Sequence, residues 1–336
     1  MQISDLRHRF VTSYSETGIR MQQETKREKW GEKPYFSLDY YLKETFGEKV
    51  YKIALDAGMT CPNRDGTLDT RGCIFCSNGG SGDFATHCIT SVTEQINQAI
   101  AFIHSHHKKT GNKYIAYFQS FSNTYAPVQK LQQIFSEALA HPQIVGLSIA
   151  TRPDCFSPEI YDVLEQCNRK KPVWIELGLQ TIHEKTAAFI RRGYPLATFE
   201  EAVRELRKRN LSVITHIILG LPGESNEEIL QTVRYLNGCD IQGVKFQLLH
   251  ILKGTDLARL LPELTVYTQE EYIALLLQCI GTLSPDIVIH RLTGDGPKDL
   301  LLAPLWSLNK RNVLNQIAQQ LKKQHIYQGK FYTKPK

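Results

Sequence analysis

Short apolar segments alternate with longer amphipathic segments from about residue 50 to about residue 250. Segments such as VQKLQQIFSEALA and TFEEAVRELRKRN have the apolar spacing of helices. The shorter runs, rich in β-branched and aromatic residues, are typical of strands: KVYKIAL, KYIAYFQS, IVGLSIAT, VWIELGLQ, SVITHIILGLP and GVKFQLLHI. Strands separated by single helices predict right-handed βαβ units and therefore a parallel sheet.

The turns between these segments carry neither GxGxxG nor GxxxxGKS, the motifs of nucleotide-binding sheets. We therefore expect an α/β fold in which the six strands form a partial (β/α)6 TIM-like barrel. The expected organisation is a polar N-terminal extension at 1–34, the barrel at 35–255 and a helical C-terminal extension at 256–336. Met21, near the end of the polar extension, is an alternative start.

The composition indicates a protein of the cytoplasm. No apolar run reaches the ~18 residues that a membrane-spanning helix needs, and the N-terminal MQISDLRHRF lacks the apolar core of a secretory signal. Because the cytosol keeps thiols reduced, the eight cysteines do not indicate a disulfide framework. Five of them are scattered and are expected to be small buried apolar residues: Cys88, Cys155, Cys167, Cys239 and Cys279.

The other three cysteines share one polar loop, GMTCPNRDGTLDTRGCIFCSNGGSGDF, at 58–84. Since the loop follows the first predicted strand, it lies at the C-terminal end of the barrel strands, where barrel enzymes carry their chemistry. Cys73 and Cys76 form a CxxC pair, and Cys61 precedes them by a long insert. Two interpretations remain open on spacing alone. A structural zinc site needs four ligands, with His87 or Cys88 as the fourth, whereas an iron–sulfur cluster on three thiolates leaves one iron open.

The pattern as a whole resembles the radical S-adenosylmethionine (SAM) enzymes. Their cluster-binding loop follows the first strand of a six-stranded βα barrel, and Phe75 matches the aromatic residue that this family commonly has between the last two cysteines. The long cysteine gap, SIATRPD and ELGLQT are similar to the branch of the Elongator catalytic subunit. GEKVYKIALDAGMTCPNRDG, FQSFSNTYAP and HRLTGDGPKDLLLAPLWSLNK resemble a bacterial subfamily of that branch without an acetyltransferase domain.

The resemblance implies the cofactors and the reaction type. It implies a [4Fe-4S] cluster on Cys61, Cys73 and Cys76, with SAM on the open iron, and cleavage of SAM to a 5′-deoxyadenosyl radical that abstracts hydrogen from the substrate. An external flavodoxin- or ferredoxin-type electron donor is also implied, because no other CxxC pair occurs in the sequence. The family pattern assigns no catalytic residue in this chain.

The resemblance also places SAM contacts along the strand ends. QSFSNTY occupies the place of the methionine-binding segment, which implicates Gln119, Asn123 and Thr124, although a turn stabilised by Asn and Ser would look alike. Relatives in the Elongator branch usually have a carboxylate where this chain has Ala150, so Thr151 and Arg152 are the nearest replacements. An arginine at a strand end before proline is as often a structural ion-pair partner, and this is the alternative for Arg152.

Further candidates follow on the next strands. Glu176 and Gln180 lie four residues apart on one strand side, and a carboxylate inside a barrel needs a partner or a ligand. By resemblance, Gln180 faces the ribose or carboxylate of SAM, Arg192 pairs with its carboxylate, and His216 lies on the adenine side. Structural roles are the alternative for each: a surface ion pair for Arg192 and a core position for His216. Polar residues further along could face the same cavity or its entrance: His250, His290, Arg291 and Asp295.

The resemblance points to tRNA as the substrate. Elongator-like relatives act on the wobble uridine, and the basic C-terminal tail KKQHIYQGKFYTKPK is compatible with an RNA backbone, although a solvated, frayed terminus is the simpler interpretation of such a tail. Only about 80 residues follow the last predicted strand, so carboxymethylation with acetyl-CoA is not expected. We expect instead another step on the uridine 5-position side chain, carboxymethylaminomethyl towards aminomethyl. The alternatives are a radical SAM enzyme for a small metabolite and a zinc-stabilised RNA-binding protein.

Overall fold

A computed structural model describes residues 30–77, 79–80, 91–106 and 111–335. A seven-stranded parallel sheet forms its centre, and six of its strands are those predicted from the sequence. The strands of the described residues are β1 Val50–Leu55, β2 Lys113–Phe118, β3 Ile144–Thr151, β4 Val173–Gln180, β5 Ser212–Leu219, β6 Gly243–Leu248, β7 Ile251–Leu252, β8 Val288–Arg291 and β9 Leu301–Ala303. The sheet order is β1-β2-β3-β4-β5-β6-β8, so β8 is an additional strand that the sequence analysis does not anticipate.

Helices cover the outer face of the sheet, as the βαβ pattern predicts. The described α-helices are α1 Leu38–Phe46, α2 Val92–His106, α3 Val128–Ala140, α4 Pro158–Lys170, α5 Glu184–Phe189, α6 Leu196–Lys208, α7 Asn226–Leu236, α8 Asp256–Arg259, α9 Gln269–Thr282 and α10 Lys310–Lys323. Ile96 and Ile100 of α2 are buried in the same core cluster as Ile53 and Leu55 of β1. Burial of such helix faces against strand residues supplies most of the apolar stabilisation of a fold of this kind.

The sheet is strongly curved, because side chains of distant strands meet inside it. Lys52 of β1 donates to Glu176 of β4 at 2.7 Å, and Lys245 of β6 donates to the hydroxyl of Tyr117 in β2 at 3.2 Å. The segment before α1 bonds to the edge strand β8, since the amide of Ile289 donates to the Phe36 carbonyl at 2.7 Å, and α1 then leads into the other edge strand, β1. The sheet therefore forms a partial barrel with a polar interior.

Helix α1 closes the bottom of this barrel. Ser37 caps its N-terminus by accepting from the Tyr40 amide at 3.3 Å, and the chain leaves it through Gly47 at a φ of 74°. Its Leu42 packs into an apolar cluster with inward-facing residues of four strands: Val50, Ile115, Trp174 and Ile214. In the part of the chain that the structure describes, the barrel is thus closed at the bottom and open towards the C-terminal ends of its strands.

The C-terminal segment packs on this barrel. Helix α10 buries Val313, Ile317 and Leu321, and beyond it Gln328 is 0% exposed and donates to the carbonyls of Ser284 and Ile287. A frayed terminus is therefore wrong for the residues up to 332, whereas the lysine side chains of this segment remain exposed. Of the scattered cysteines, Cys155, Cys167 and Cys279 are buried and Cys239 is half-buried, whereas Cys88 lies outside the described residues.

None of the described helices combines the length and the apolar character required to cross a membrane.

Candidate functional site

A cavity of ≈ 820 Å³ occupies the barrel interior and opens at the C-terminal ends of the strands. Its volume follows from small residues at inward positions, because Ala54, Ala150 and Gly178 all line it. All three cysteines of the polar loop lie on its wall. The cavity therefore joins the cysteine loop to the barrel interior, as the expected position of that loop predicted.

The long insert between Cys61 and Cys73 folds back on itself. The Gly72 amide donates to the Asn63 carbonyl at 2.7 Å, which returns the chain to the start of the loop before Cys73. Gly72 has a φ of 76°, and a Cβ atom there would lie 2.9 Å from the Arg64 guanidinium, so this position requires glycine. The unusual spacing of the cysteines is thus compatible with a single shared centre.

Neighbouring polar side chains hold the cysteine loop in place. The Asn63 side-chain amide donates to the Arg191 carbonyl at 2.8 Å and contacts the Cys73 sulfur at 3.6 Å. Arg64 donates to the Cys76 carbonyl at 3.0 Å. A hydrogen bond from the Cys76 thiol lowers the pKa of Cys73, and the nearby charge of Arg152 acts in the same direction. The same hydrogen bond, together with burial, raises the pKa of Cys76 well above its usual value, so of this pair only Cys73 is shifted towards the thiolate, the form that binds metal.

The three thiols are free, but they do not converge as ligands of one ion. The described residues contain no group of three or more His, Cys, Asp or Glu side chains placed to hold a single metal ion. His87 and Cys88, the predicted fourth ligands of a zinc site, lie outside the described residues. Three free thiols on the wall of an open cavity fit a larger group, such as an iron–sulfur cluster, which spans several ångströms.

Most of the predicted SAM contacts line this same cavity. They are Phe75, Gln119, Thr151, Arg152, Glu176, Gln180, Arg192 and His216. Gln180 ends β4 at a φ of 68°, next to a register shift in the pairing with β5. The structure thus brings these candidates together, while their contact with SAM stays a prediction.

Asn123 and Thr124 lie behind the cavity wall. The Asn123 side-chain amide donates to the Ser120 and Ala150 carbonyls at 3.1 and 3.0 Å. Thr124 contacts the Thr151 hydroxyl and donates to the Cys155 carbonyl, both at 2.6 Å. Both residues are 0% exposed, so in this arrangement they hold the turn after β2 against β3. Their predicted contact with SAM remains untested.

The two arginines of the wall are heavily engaged by the protein. Arg152 forms a two-pronged ion pair with Asp154, at 2.9 and 2.6 Å, and stacks on Tyr194. Arg192 is 1% exposed and donates to the carbonyls of Thr181, Leu179 and Tyr194, at 2.6 to 3.1 Å. It also pairs with Glu184 at 3.3 Å and stacks on the Tyr194 ring. These bonds fix the position of Arg192 beside the cavity, and its pairing with SAM stays a prediction.

The deepest part of the cavity is a charged layer that we define by Lys52, Glu176, His216 and Lys245 with Arg291. Glu176 is 1% exposed and accepts from Lys52 at 2.7 Å, from Lys245, and from the His216 ring at 2.7 Å. Its partners come from β1, β5 and β6, so the layer exists only because the sheet is curved. The predicted need of Glu176 for a partner is thereby met.

Burial sets the protonation of this layer. Burial alone would raise the pKa of Glu176, but the charges of Lys245 and Lys52 and a hydrogen bond with His216 hold it well below its usual value. Burial lowers the pKa of Lys245 to about 7 and that of His216 to about 4. Glu176 is therefore ionised, His216 is neutral, and Lys245 titrates near neutral pH.

Sequence reasoning missed the two lysines of the layer. Both stand in apolar runs, VYKIAL and GVKFQL, at positions whose neighbours alternate between core and interior. A lysine in the middle of a strand that is otherwise buried was the available signal, since such a charge requires a partner.

The remaining polar candidates also lie on the cavity. His250, His290, Arg291 and Asp295 all line it, and Asp295 pairs with Lys310 at 2.6 Å. Burial lowers the pKa of His250 to about 4. Among the described side chains, His250 Nε2 and His290 Nδ1 are buried without a hydrogen-bond partner.

Comparisons with known proteins agree with this architecture. Family models match residues 70–236 as the Radical SAM superfamily and residues 241–323 as the Radical_SAM C-terminal domain. The uncharacterized protein YtqA of Bacillus subtilis is 43% identical over 90% of this chain and 94% of its own length. The protein YhcC of Escherichia coli is 35% identical over 88% of this chain and 94% of its own length.

More distant similarity extends to proteins of the Elongator type. The structure of the archaeal Elp3 of Methanocaldococcus infernus, with an N-terminal deletion, matches with a TM-score of 0.63 at 15% identity, over 83% of this chain and 64% of that chain. This match concerns the fold. The tRNA uridine(34) acetyltransferase of Dehalococcoides mccartyi is 28% identical over 55% of this chain and 40% of its own length.

Proposed function

Because the chain belongs to the radical SAM superfamily, we propose that it modifies the 5-position side chain of the wobble uridine of a tRNA. The specific step that we propose converts a carboxymethylaminomethyl group towards aminomethyl. The bond between the amine nitrogen and the carboxymethyl carbon breaks in this step, and the aminomethyl group stays on the base.

The superfamily uses a [4Fe-4S] cluster and SAM, and these are the cofactors of this enzyme. The free thiols on the cavity wall fit the cluster, and we propose Cys61, Cys73 and Cys76 as its ligands. When bound, the cluster and SAM supply a strong hydrogen-abstracting agent, 5′-deoxyadenosyl. The protein has to orient both cofactors and to keep water and other reactive groups away from that agent.

The residues of the cavity divide this work between them. Gln119, Thr151 and Gln180 present polar groups near the strand ends, where we propose that they bind the amino acid and ribose parts of SAM. Phe75, Ile218 and Leu249 give the same region apolar walls that exclude water. Arg64 and Asn63 hold the cysteine loop in place by their hydrogen bonds to its backbone and to the Arg191 carbonyl.

The overall change balances with SAM as the oxidant. The methylene carbon of the carboxymethyl unit would lose one hydrogen and two electrons, the equivalent of a hydride. SAM would accept this equivalent and be converted to methionine and 5′-deoxyadenosine. Water adds where the carbon–nitrogen bond breaks, so that the two-carbon unit leaves as glyoxylate and one proton is released. We propose a flavodoxin- or ferredoxin-type protein as the one-electron carrier.

One observation carries this proposal: the cavity has thiols at its mouth and a charged, hydrogen-bonding layer at its base. A polar and acidic substrate group can therefore reach into the barrel from the cluster side. The similarity to a tRNA uridine(34) acetyltransferase and the exposed lysines of the C-terminal segment support a tRNA as the carrier of that group.

The test is turnover of a defined tRNA. The protein is purified without oxygen, reconstituted with iron and sulfide, and incubated with dithionite, SAM and a tRNA that carries 5-carboxymethylaminomethyluridine at the wobble position. We expect aminomethyluridine and glyoxylate in equal amounts. When the methylene group of the carboxymethyl unit carries deuterium, we expect deuterium to appear in 5′-deoxyadenosine.

Other outcomes separate the alternatives. SAM cleavage that is independent of tRNA, with no change in its nucleosides, would favour a small-metabolite substrate and overturn the tRNA proposal. A colourless protein that holds zinc and does not cleave SAM would contradict the cluster ligands.

A further inference from the structure

Positive charge exceeds negative charge in the charged layer. Among the residues that the structure describes, Lys52 and Lys245 pair with one carboxylate, Glu176, whereas Asp295, a second carboxylate on the cavity, pairs with Lys310. Arg291 has no carboxylate partner among the described residues, and its guanidinium donates only to the Gln247 side chain, at 3.3 Å. Buried and partly buried charges of one sign repel each other unless an opposite charge joins them. The layer therefore lacks one anion.

The protonation of Lys245 reflects this imbalance. Burial is the largest cause that lowers its pKa to about 7, and the charges of Lys52 and Arg291 act in the same direction. Hydroxyl groups surround the same place: Tyr117 contacts Lys245 at 3.2 Å, and Ser148 donates to Glu176 at 2.6 Å. An anion here would meet both ammonium groups and a guanidinium at once.

The position of the layer limits what can reach it. Among the described residues, the cluster of Leu42 and Trp174 closes the barrel below the layer, so the path to it runs through the cavity from the side of the cysteines. The phosphates of an RNA lie on its outer backbone, whereas a side chain on a base can extend ahead of that base. A terminal carboxylate on such a side chain fits this path.

We propose that Lys52, Lys245 and Arg291 form a carboxylate-binding subsite, which holds the acidic end of the substrate side chain at the base of the barrel. This inference rests on the proposed function and deepens it. The subsite would select a uridine whose side chain ends in a carboxylate over one that ends in an amine. It would also place the carbon next to the carboxylate on the cofactor side of the layer.

The test uses a pair of small probes that differ only in the carboxylate. N-ethylglycine carries the same N-alkylglycine unit as the proposed substrate, and N-ethylmethylamine lacks its carboxylate. Calorimetric titration of the reconstituted, SAM-bound protein is expected to show N-ethylglycine binding at least about tenfold more tightly than the amine, since hydrogen bonds to charged groups are strong. Inorganic phosphate is the third probe.

Two variants and one control assign the site. Arg291→Gln and Lys245→Met are each expected to lower the preference for N-ethylglycine by about tenfold. Arg291 is the more secure variant, because it is half-buried and bonds only to Gln247. Arg311→Gln removes an exposed charge outside the cavity lining and is expected to retain the full preference.

Equal binding of the two probes, or a preference that survives Arg291→Gln, would overturn the subsite. Phosphate binding more tightly than N-ethylglycine would overturn its assignment to a carboxylate. The outcome is separable from that of the proposed function. If N-ethylglycine binds through Arg291 while no tRNA is modified, the subsite stands and the tRNA substrate is wrong. If tRNA is converted equally well by Arg291→Gln, the subsite alone is wrong.

Discussion

The two ends of the cavity are built in different ways. At the mouth, three thiols lie on an irregular loop whose shape depends on backbone hydrogen bonds such as that from Gly72 to Asn63. At the base, the charged layer lies on regular strands and is tied to the curvature of the whole sheet. The mouth can therefore change without loss of the fold, whereas a change at the base affects fold and function together.

Removal of a thiol should have the largest effect on activity and a small effect on stability. We expect Cys76→Ala to lose the cluster and to lower SAM cleavage at least about a thousandfold, because the reaction depends on that cofactor. The free energy of unfolding of the metal-free protein should change by less than about 1 kcal/mol, as for partly exposed loop positions. Iron content, 5′-deoxyadenosine yield and urea unfolding measure the three quantities.

Cys239→Ala is the matched control for the thiol, because Cys239 is half-buried in the segment between α7 and β6 and is not part of the cavity lining. It should keep iron and activity. A Cys76→Ala protein that still holds four irons and cleaves SAM would contradict the ligand assignment.

Removal of the Glu176 carboxylate should instead have a large effect on the stability of the fold. Glu176→Gln leaves Lys52 and Lys245 as buried charges without a counter-ion, so we expect a loss of about 3–5 kcal/mol in the free energy of unfolding. Urea unfolding of the metal-free protein measures it. The double variant Glu176→Gln, Lys245→Met should recover part of the loss, because it removes one of the two uncompensated charges.

If Glu176→Gln unfolds at the same urea concentration as the unchanged protein, the charged layer does not stabilise the fold. The contrast between mouth and base would then be lost.

Ligand binding at the base of the cavity should also depend on pH. Burial lowers the pKa of Lys245 to about 7, and this ammonium is faced by Lys52, Tyr117, Glu176 and His216 and by Arg291 of β8. A carboxylate binds the protonated form, so the affinity for N-ethylglycine should be highest below pH ~7. Above it, affinity should fall by up to about tenfold per pH unit, because binding must then take up a proton. Titrations at several pH values measure the trend.

Lys245→Met should remove this pH dependence. An affinity that stays constant from about pH 6 to about pH 8 in the unchanged protein would contradict a Lys245 ammonium that titrates near pH 7 and binds the carboxylate.

The smallest predicted effect concerns the outer surface, beyond both ends of the cavity. Lys322 and Lys323 are exposed on the last turn of α10, and we expect each Lys→Gln change to weaken tRNA binding a few-fold and to reduce the salt slope by about one. Filter binding at several salt concentrations gives both values. Lys49→Gln is the control, since Lys49 precedes β1 at the closed end of the barrel.

The barrel strands were predictable because each is one contiguous apolar run with a helix on either side. β8 was missed for a physical reason: its four residues, VIHR, include two polar side chains, and it pairs with β6 and bridges to Ser37, both distant in the sequence. No local pattern records such a distant contact.

The residues of the site also differ in how far the sequence alone predicts them. The three thiols could be found because CxxC in a polar loop is a local signal. The charged layer could be anticipated only in part, from Glu176 and its need for a partner, because its lysines lie more than 60 residues away on either side of it in the sequence. Only the curvature of the sheet brings them together.

The contacts of Gln328 bear on how the chain acquires this shape as it is synthesised. Its side chain accepts from the Phe36 amide at 2.8 Å and donates to the carbonyls of Ser284 and Ile287, so it joins the segment before α1 to the segment before β8. Phe36 precedes Gln328 by 292 residues in the sequence, so the cysteine loop and every described strand are synthesised before the residue that joins these two segments. During synthesis, the cysteine loop therefore sits for a time on strands whose connection through Gln328 has not yet formed.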